Sequence, residues 1–379
     1  MIKNIKKKFN PLLFLSSLGA GGIAVSGFIV LQYCGFFHGK GLATFSDIPQ
    51  TPLAIFLEGI MVVFGIIHAY LTVVYFIGLG SWKKTDAYKK FIENPLVNSG
   101  IMAPYVSVAM SMNVIIAVVR YFSETLSSNF QAIMLPAFIF FVYLWSATVF
   151  RVMSLLKIAF TRSFDVDKIH FGWLLQPFAV AMITVTGSGF AALAKDHIIA
   201  GAAAFMVLVS TSMVIFLTAV KMFAVFKRHL QRDSEFEDQF MPTYLIVVPI
   251  VTLLGITVFR MGHYGQHLFH NDVVFLFAKI IMIALYAFQV WYFVFGLMML
   301  NRYWSDYFGK KFHVSQWGLV CPFVALGALS GFVYKAFFPN QFYLTFILAN
   351  LTGVSLLFFY LLSRQFKCIS NDENSICDK

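Results

Sequence analysis

Four short segments share a composition and a spacing: Ala103-Pro104-Tyr105, Gln176-Pro177-Phe178, Val248-Pro249-Ile250 and Cys321-Pro322-Phe323. Their prolines are 73, 72 and 73 residues apart. A fixed period of this size marks an internal repeat. Each proline lies in an apolar run, where it removes one helical hydrogen bond and crowds the preceding turn, so a kink or break is expected. The chemistry on offer there belongs to the backbone. Freed N–H groups and broken helix ends carry partial positive charge and suit electron-rich partners.

A second group of residues is ionisable and lies within or at the ends of apolar runs. Glu58, in Phe56-Leu57-Glu58-Gly59, is followed ten residues later by His68, on a nearby helical face. Such groups are costly in an apolar setting and are functional candidates. The pair is a candidate for moving protons; the competing reading pairs Glu58 with Lys279 as an internal strut. Arg120 and Arg260 each close an apolar run, either as a basic vestibule or as snorkelling anchors. His263, His267 and His270, beside Asp272, have i, i+4 and i, i+7 spacing that would suit a transition metal. They lack a further partner, so no metal is assigned and loop or pH-sensing roles are favoured. Cys321 is either a redox-sensitive thiol or a small packing residue. No phosphate-binding glycine loop and no nucleophile–base arrangement is present, so neither catalysis nor a cofactor is expected.

The elements that must position these residues are set by composition. The chain has 379 residues, 59% hydrophobic and 12% charged, with mean hydropathy +0.78. That excludes a soluble domain of this length and implies an all-α polytopic membrane protein. The reading is one transmembrane domain over 1–379. Its ten spans lie near 11–34, 51–79, 97–121, 131–158, 171–193, 197–226, 242–259, 272–300, 315–334 and 341–363. Four cysteines show no spacing that suggests a disulfide framework or a zinc site. The lysine-rich start runs into a full-length apolar helix without a small-residue cleavage site, so no cleavable signal is expected.

The net charge of +11 is explained by topology. Of the 28 Lys and Arg, twenty-two fall on the side of the termini, and only Lys40, Arg120, Lys195, Arg260, Lys279 and Lys335 fall elsewhere. This bias places both termini in the cytoplasm, in an inner membrane, and leaves no reason to invoke a nucleic-acid partner. The spans group as five hairpins. The repeated proline falls in spans 3, 5, 7 and 9; span 1 is instead rich in glycine, which also permits bending. An odd number of equivalent hairpins points to a quasi-fivefold ring, with five bent helices inside and five straighter ones outside.

The hairpin count, the proline pattern and the segment Cys321-Pro322-Phe323-Val324-Ala325 together resemble the tellurite-resistance/dicarboxylate transporter family, which includes the plant slow-type anion channels. The resemblance covers about residues 10–363. It implies a central pore, a small-anion substrate (halide, nitrate, sulfite, another oxyanion or a dicarboxylate) and a homotrimer in lipid. It also implies a ninth-helix aromatic that plugs the pore, with Phe323 at the matching position. Span 1 departs from the family pattern in lacking the interior proline.

The physics of such a pore is consistent with the residues. An anion leaving water needs its hydration replaced by weak, distributed dipoles, because one fixed buried cation would slow its exit. Broken odd helices supply those dipoles at positions lined by protein. Ser17, Pro104, Tyr105, Pro177, Phe178, Pro249, Ile250, Cys321 and Pro322 are the expected pore-lining residues, with Phe323 as gate and Phe14 near the same level. A proton-coupled anion carrier using Glu58 and His68 is the alternative within transport. A membrane anchor of a redox enzyme is the alternative outside it, although only His68 is internal enough to serve as an axial ligand. A metal-cation carrier would want more midplane carboxylates than Glu58 alone.

Overall fold

The computed structural model describes residues 9–39, 41–231 and 237–370. Lys3, Lys6, Lys7, Lys8, Lys40, Arg232 and Lys379, which enter the charge count above, lie outside the described residues, as does Cys377. Ten helices among the described residues are long and apolar enough to cross a membrane. They are α1 (Pro11–Tyr33), α2 (Pro52–Trp82), α3 (Asn98–Phe122), α4 (Phe130–Thr161), α5 (Phe171–Leu193), α6 (His197–Leu230), α7 (Asp238–Phe269), α8 (Asp272–Met299), α9 (Val314–Ala336) and α10 (Gln341–Cys368). Every regular element among the described residues is helical.

Odd and even helices begin differently. Most even helices open with a capped α turn: Thr51 accepts from the Ala54 N–H, Asp196 from Ile198, Asn271 from Val273 and Asn340 from Tyr343. Each cap satisfies a donor that the first turn would otherwise leave free. Every odd helix opens instead with 3₁₀ turns: Pro11–Leu13, Asn98–Met102, Phe171–Leu174, Asp238–Ile246 and Val314–Leu319. The α-helical part then starts at Phe14, Ala103, Leu175, Val247 and Val320. Pro104, Pro177, Pro249 and Pro322 are the second or third residues of those parts. The repeated proline therefore marks a switch from 3₁₀ to α near one end of the span, rather than a mid-span kink. A first-turn proline is tolerated because its missing N–H would lack an α partner anyway. Two further irregularities are Pro136 inside α4 and a π-helical turn at Ile115–Val119 in α3.

Burial separates the two sets. Between 56 and 100% of the apolar window is buried in odd helices, against 17 to 39% in even ones. The odd helices pack in succession, α1 on α3, α3 on α5, α5 on α7 and α7 on α9, and α9 packs back on α1. Each also packs on the even helix that follows it. The glycines of α1 serve this packing rather than a bend. A Cβ on Gly19 or Gly22 would lie 2.8 Å from Val320 or Val324 of α9, and one on Gly21 would lie 2.8 Å from the His68 ring. Close approach of this kind gains dispersion energy where lipid offers no hydrophobic drive between helices. One expectation fails: Cys368 is disulfide-bonded, while Cys34 and Cys321 are free thiols.

Candidate functional site

Two cavities lie among the odd helices. One, of about 390 Å³, is at their N-terminal ends and is called here the N-side cavity. The other, of about 130 Å³, runs toward their C-terminal ends and is called the far cavity. Both are roomy enough for water or a small ion. Phe178, Pro249 and Cys321 line both cavities and so form the partition between them. They come from α5, α7 and α9.

The opening 3₁₀ turn of every odd helix contributes to the N-side cavity: Leu12 from α1, Ser99 from α3, Gly172 from α5, Thr243 from α7 and Ser315 from α9. The positive ends of five helices therefore meet there. The far cavity is mostly apolar. Its polar groups include Asn113, Thr252 and Arg260. Arg260 Nη1 donates to the Val185 carbonyl at 2.9 Å, in the half of α5 where helix carbonyls carry partial negative charge. Asn113 Nδ2 donates to Thr186 Oγ1 at 2.8 Å and ties α3 to α5. Gln289 of α8 donates to Thr252 Oγ1 at 2.7 Å.

The lining face shifts by one residue from repeat to repeat. On α7 the far cavity is lined at Pro249, Thr252, Leu253, Ile256 and Arg260; on α9 it is lined at Cys321, Val324, Ala325, Ala328 and Phe332. Counted from each helix's own proline, the second set is the first moved back by one. On α5 the set begins one residue after Pro177, at Phe178. One residue is about 100° of helix rotation. Positions that align on the prolines therefore do not share a face.

This explains where the expected residues sit. Phe178, Pro249 and Cys321 line the cavities; Ser17, Pro104, Tyr105, Pro177, Ile250, Pro322, Phe323 and Phe14 line neither. The Phe323 ring is half-buried and stands edge-on to Phe293 of α8 (5.0 Å between centroids, 89°), and its carbonyl accepts from Asn350 Nδ2 of α10 at 2.8 Å. Tyr105 turns to α4, where its hydroxyl accepts from Arg151 Nε at 3.4 Å. Phe14 packs on Tyr75 and Phe76 of α2. Ser17 belongs to a buried cluster between α1, α2 and α3: its Oγ lies 2.5 Å from Thr72 Oγ1 and 3.0 Å from Ser107 Oγ.

His68 joins the same cluster, with Nδ1 2.7 Å from the Ser17 carbonyl and Nε2 2.8 Å from Ser111 Oγ. The carbonyl can only accept, so Nδ1 carries a proton, and Ser111, whose hydroxyl donates to the Ser107 carbonyl at 3.2 Å, ties the ring to α3. Glu58 is held elsewhere. Its Oε1 accepts from the Tyr121 hydroxyl at 2.6 Å and from Gln50 Nε2 at 3.3 Å. The two do not share partners, and Lys279 stands over the Phe275 ring at 4.5 Å instead of meeting Glu58. Arg120 clamps the segment after α1 by donating to the Ala43 carbonyl at 2.6 Å; Arg260 alone of the two arginines lines a cavity. The His263 ring lies against Phe275, 4.0 Å between centroids, and the described residues hold no cluster fit for a metal.

Sequence reasoning missed His170, Asn113, Lys221 and Ser99. His170 lies just before α5, lines the N-side cavity and stacks on Phe240 at 3.7 Å. Burial, opposed by the Leu96 backbone and aided by Arg228, brings its pKa down to about 4. A histidine next to Phe171-Gly172-Trp173 carries no local signal of this role. Only the meeting of α5 and α7 makes it a cavity wall.

No curated protein matches the chain. The family model for the voltage-dependent anion channel matches residues 8–365, which takes in all of the odd helices and every residue lining the far cavity. With ten helices able to cross a membrane, the chain is a multi-pass membrane protein and belongs to the voltage-dependent anion channel family, whose members are anion channels or transporters.

Proposed function

We propose that this chain, as one transmembrane unit, passes a small anion along the axis from the N-side cavity to the far cavity, with the odd helices forming a fivefold ring about it. The observation that carries this reading is the shared partition. Two cavities amid the odd helices are separated by the same Phe178, Pro249 and Cys321. The five helix N-termini on one side supply dispersed positive potential, which suits an anion that must also leave. On this reading Phe178, and not Phe323, is the ring that blocks the path until it rotates. The excess of Lys and Arg at the N-side supports turning that cavity to the cytoplasm of an inner membrane. The occupant is a small inorganic anion such as a halide or nitrate, because 130 Å³ favours compact ions.

The test is anion current through purified protein in a planar bilayer, with wild type beside Phe178→Ala and Phe323→Ala. A large rise in current for Phe178→Ala with little change for Phe323→Ala supports the partition. A rise confined to Phe323→Ala returns the gate to the ninth helix. Silence of all three folded proteins sinks the pathway.

A further inference from the structure

The polar groups behind the N-side cavity form a chain of fixed direction. Lys221 of α6 is 5% exposed. Its Nζ donates to the Trp173 carbonyl at 3.0 Å and to Gln176 Oε1 at 2.7 Å, and lies 4.9 Å from the centre of the Trp173 ring. Among the described residues no carboxylate joins it. An ammonium has no acceptor site, so Gln176 must turn its oxygen toward Lys221. The amide nitrogen then faces away, and Gln176 Nε2 donates to Ser99 Oγ at 3.2 Å. Ser99 is 2% exposed and lines the N-side cavity. Its oxygen is engaged by Gln176, and its own hydrogen has no acceptor among the protein contacts of the described residues.

We propose that Lys221, Gln176 and Ser99 form a hydrogen-bond relay that makes the Ser99 hydroxyl a donor to an anion in the N-side cavity. The ligand class is a small monovalent anion, chloride or nitrate, that accepts hydrogen bonds and offers none. Ser99 touches the ion; Lys221 and Gln176 are positioning residues that set the direction of the donor. Each link polarises the next, so the hydroxyl is a stronger donor than an isolated serine. The charge itself stays one residue pair away from the ion, which keeps binding weak enough for release. The relay rests on the anion pathway proposed above.

A change of Gln176 to Glu reverses the last link. A carboxylate has only acceptors, so Ser99 must donate to it and show the cavity a lone pair. The same change gives Lys221 a charged partner, so a purely structural role would leave the fold as stable or more so. The experiment is the dependence of current on chloride and nitrate concentration, in planar bilayers, for full-length wild type, Gln176→Glu and Ser99→Ala. Thermal unfolding in detergent with added nitrate is measured beside it, against gluconate at equal ionic strength. The relay predicts that both variants raise the half-saturating concentration about fivefold, as for the loss of one hydrogen bond. It also predicts that both lose the nitrate-dependent rise in unfolding temperature, while Gln176→Glu unfolds no earlier than wild type in gluconate. Wild-type half-saturation in both variants overturns it. If wild type carries no current, the pathway falls but the site is still decided: a nitrate-dependent rise present in wild type and absent in Ser99→Ala upholds it. An equal rise in both, or none in either, overturns it.

Discussion

The two cavities are built from the same five helices and differ because those helices run parallel. At the N-side, 3₁₀ turns present N–H groups and hydroxyls, and the ends of five helix dipoles are positive. At the far side the same dipoles end negative. An anion drawn in at one end would be repelled at the other unless something offsets the carbonyls. Arg260 is placed to do so, since it lines the far cavity and donates to the Val185 carbonyl. Helices that all open on one side thus need side-chain charge at only one end, and the backbone serves the other.

The sharpest way to break this comparison is Arg260→Met. Removing a low-dielectric cation near the path costs several kcal/mol at contact and less at a distance. Anion current should fall about tenfold, and the reversal potential in a salt gradient should move toward zero selectivity. Arg120→Met is the control: it loses the Ala43 clamp and should lower the unfolding temperature with selectivity retained. Unchanged current in folded Arg260→Met means that the far end needs no cation.

The N-side is tested through His170. Its folded pKa is about 4, below the usual 6.5. Above pH 6.5 both states are neutral and its burial costs no protonation energy. Between 6.5 and 4 the unfolded chain binds a proton that the folded one does not, so stability falls with pH by roughly 3 kcal/mol in total, and below 4 it levels off. Unfolding temperatures from pH 7.5 to 4 should show this slope in wild type and a flatter one in His170→Gln. Equal slopes in the two refute the assignment.

The packing of α1 on α9 beside the far cavity is probed by Gly22→Ala. The added carbon would sit 2.8 Å from Val324 Cγ1, and overpacking of this kind costs about 1–3 kcal/mol. A variant as stable as wild type would show that α1 and α9 can separate freely. The smallest change is Cys321→Ser, which should leave current near wild type. A small thiol reagent added to open protein should block wild type and spare the variant. Block that persists in the variant would put the reactive thiol elsewhere, with Cys34 the other free cysteine among the described residues.

Much of the architecture was legible in residue order. Ten apolar runs and the 72–73-residue spacing of Pro104, Pro177, Pro249 and Pro322 are local features, and local features set where helices start and which of them are alike. The Cys321-Pro322-Phe323 segment stood out for the same reason, and its Cys321 lines both cavities. The orientation of the segment was not legible. Cys321 and Phe323 are two residues apart, about 200° around a helix, so only one of them faces the axis. Phe178, aligned with Phe323 by the prolines, faces inward because the lining face slips one residue per repeat. Likewise Glu58 and His68 looked like a pair by spacing, yet Tyr121 and Ser17 claim them from other helices.

The sequence by itself determined membrane residence, the helix count and the repeat, because hydropathy, length and proline chemistry act within one segment. The tertiary structure alone decided which face of each helix meets the axis, which ring sits in the partition, and that Lys221, Gln176 and Ser99 meet. Rotation about a helix axis costs nothing until neighbours pack, so those choices belong to contacts between residues far apart in the chain.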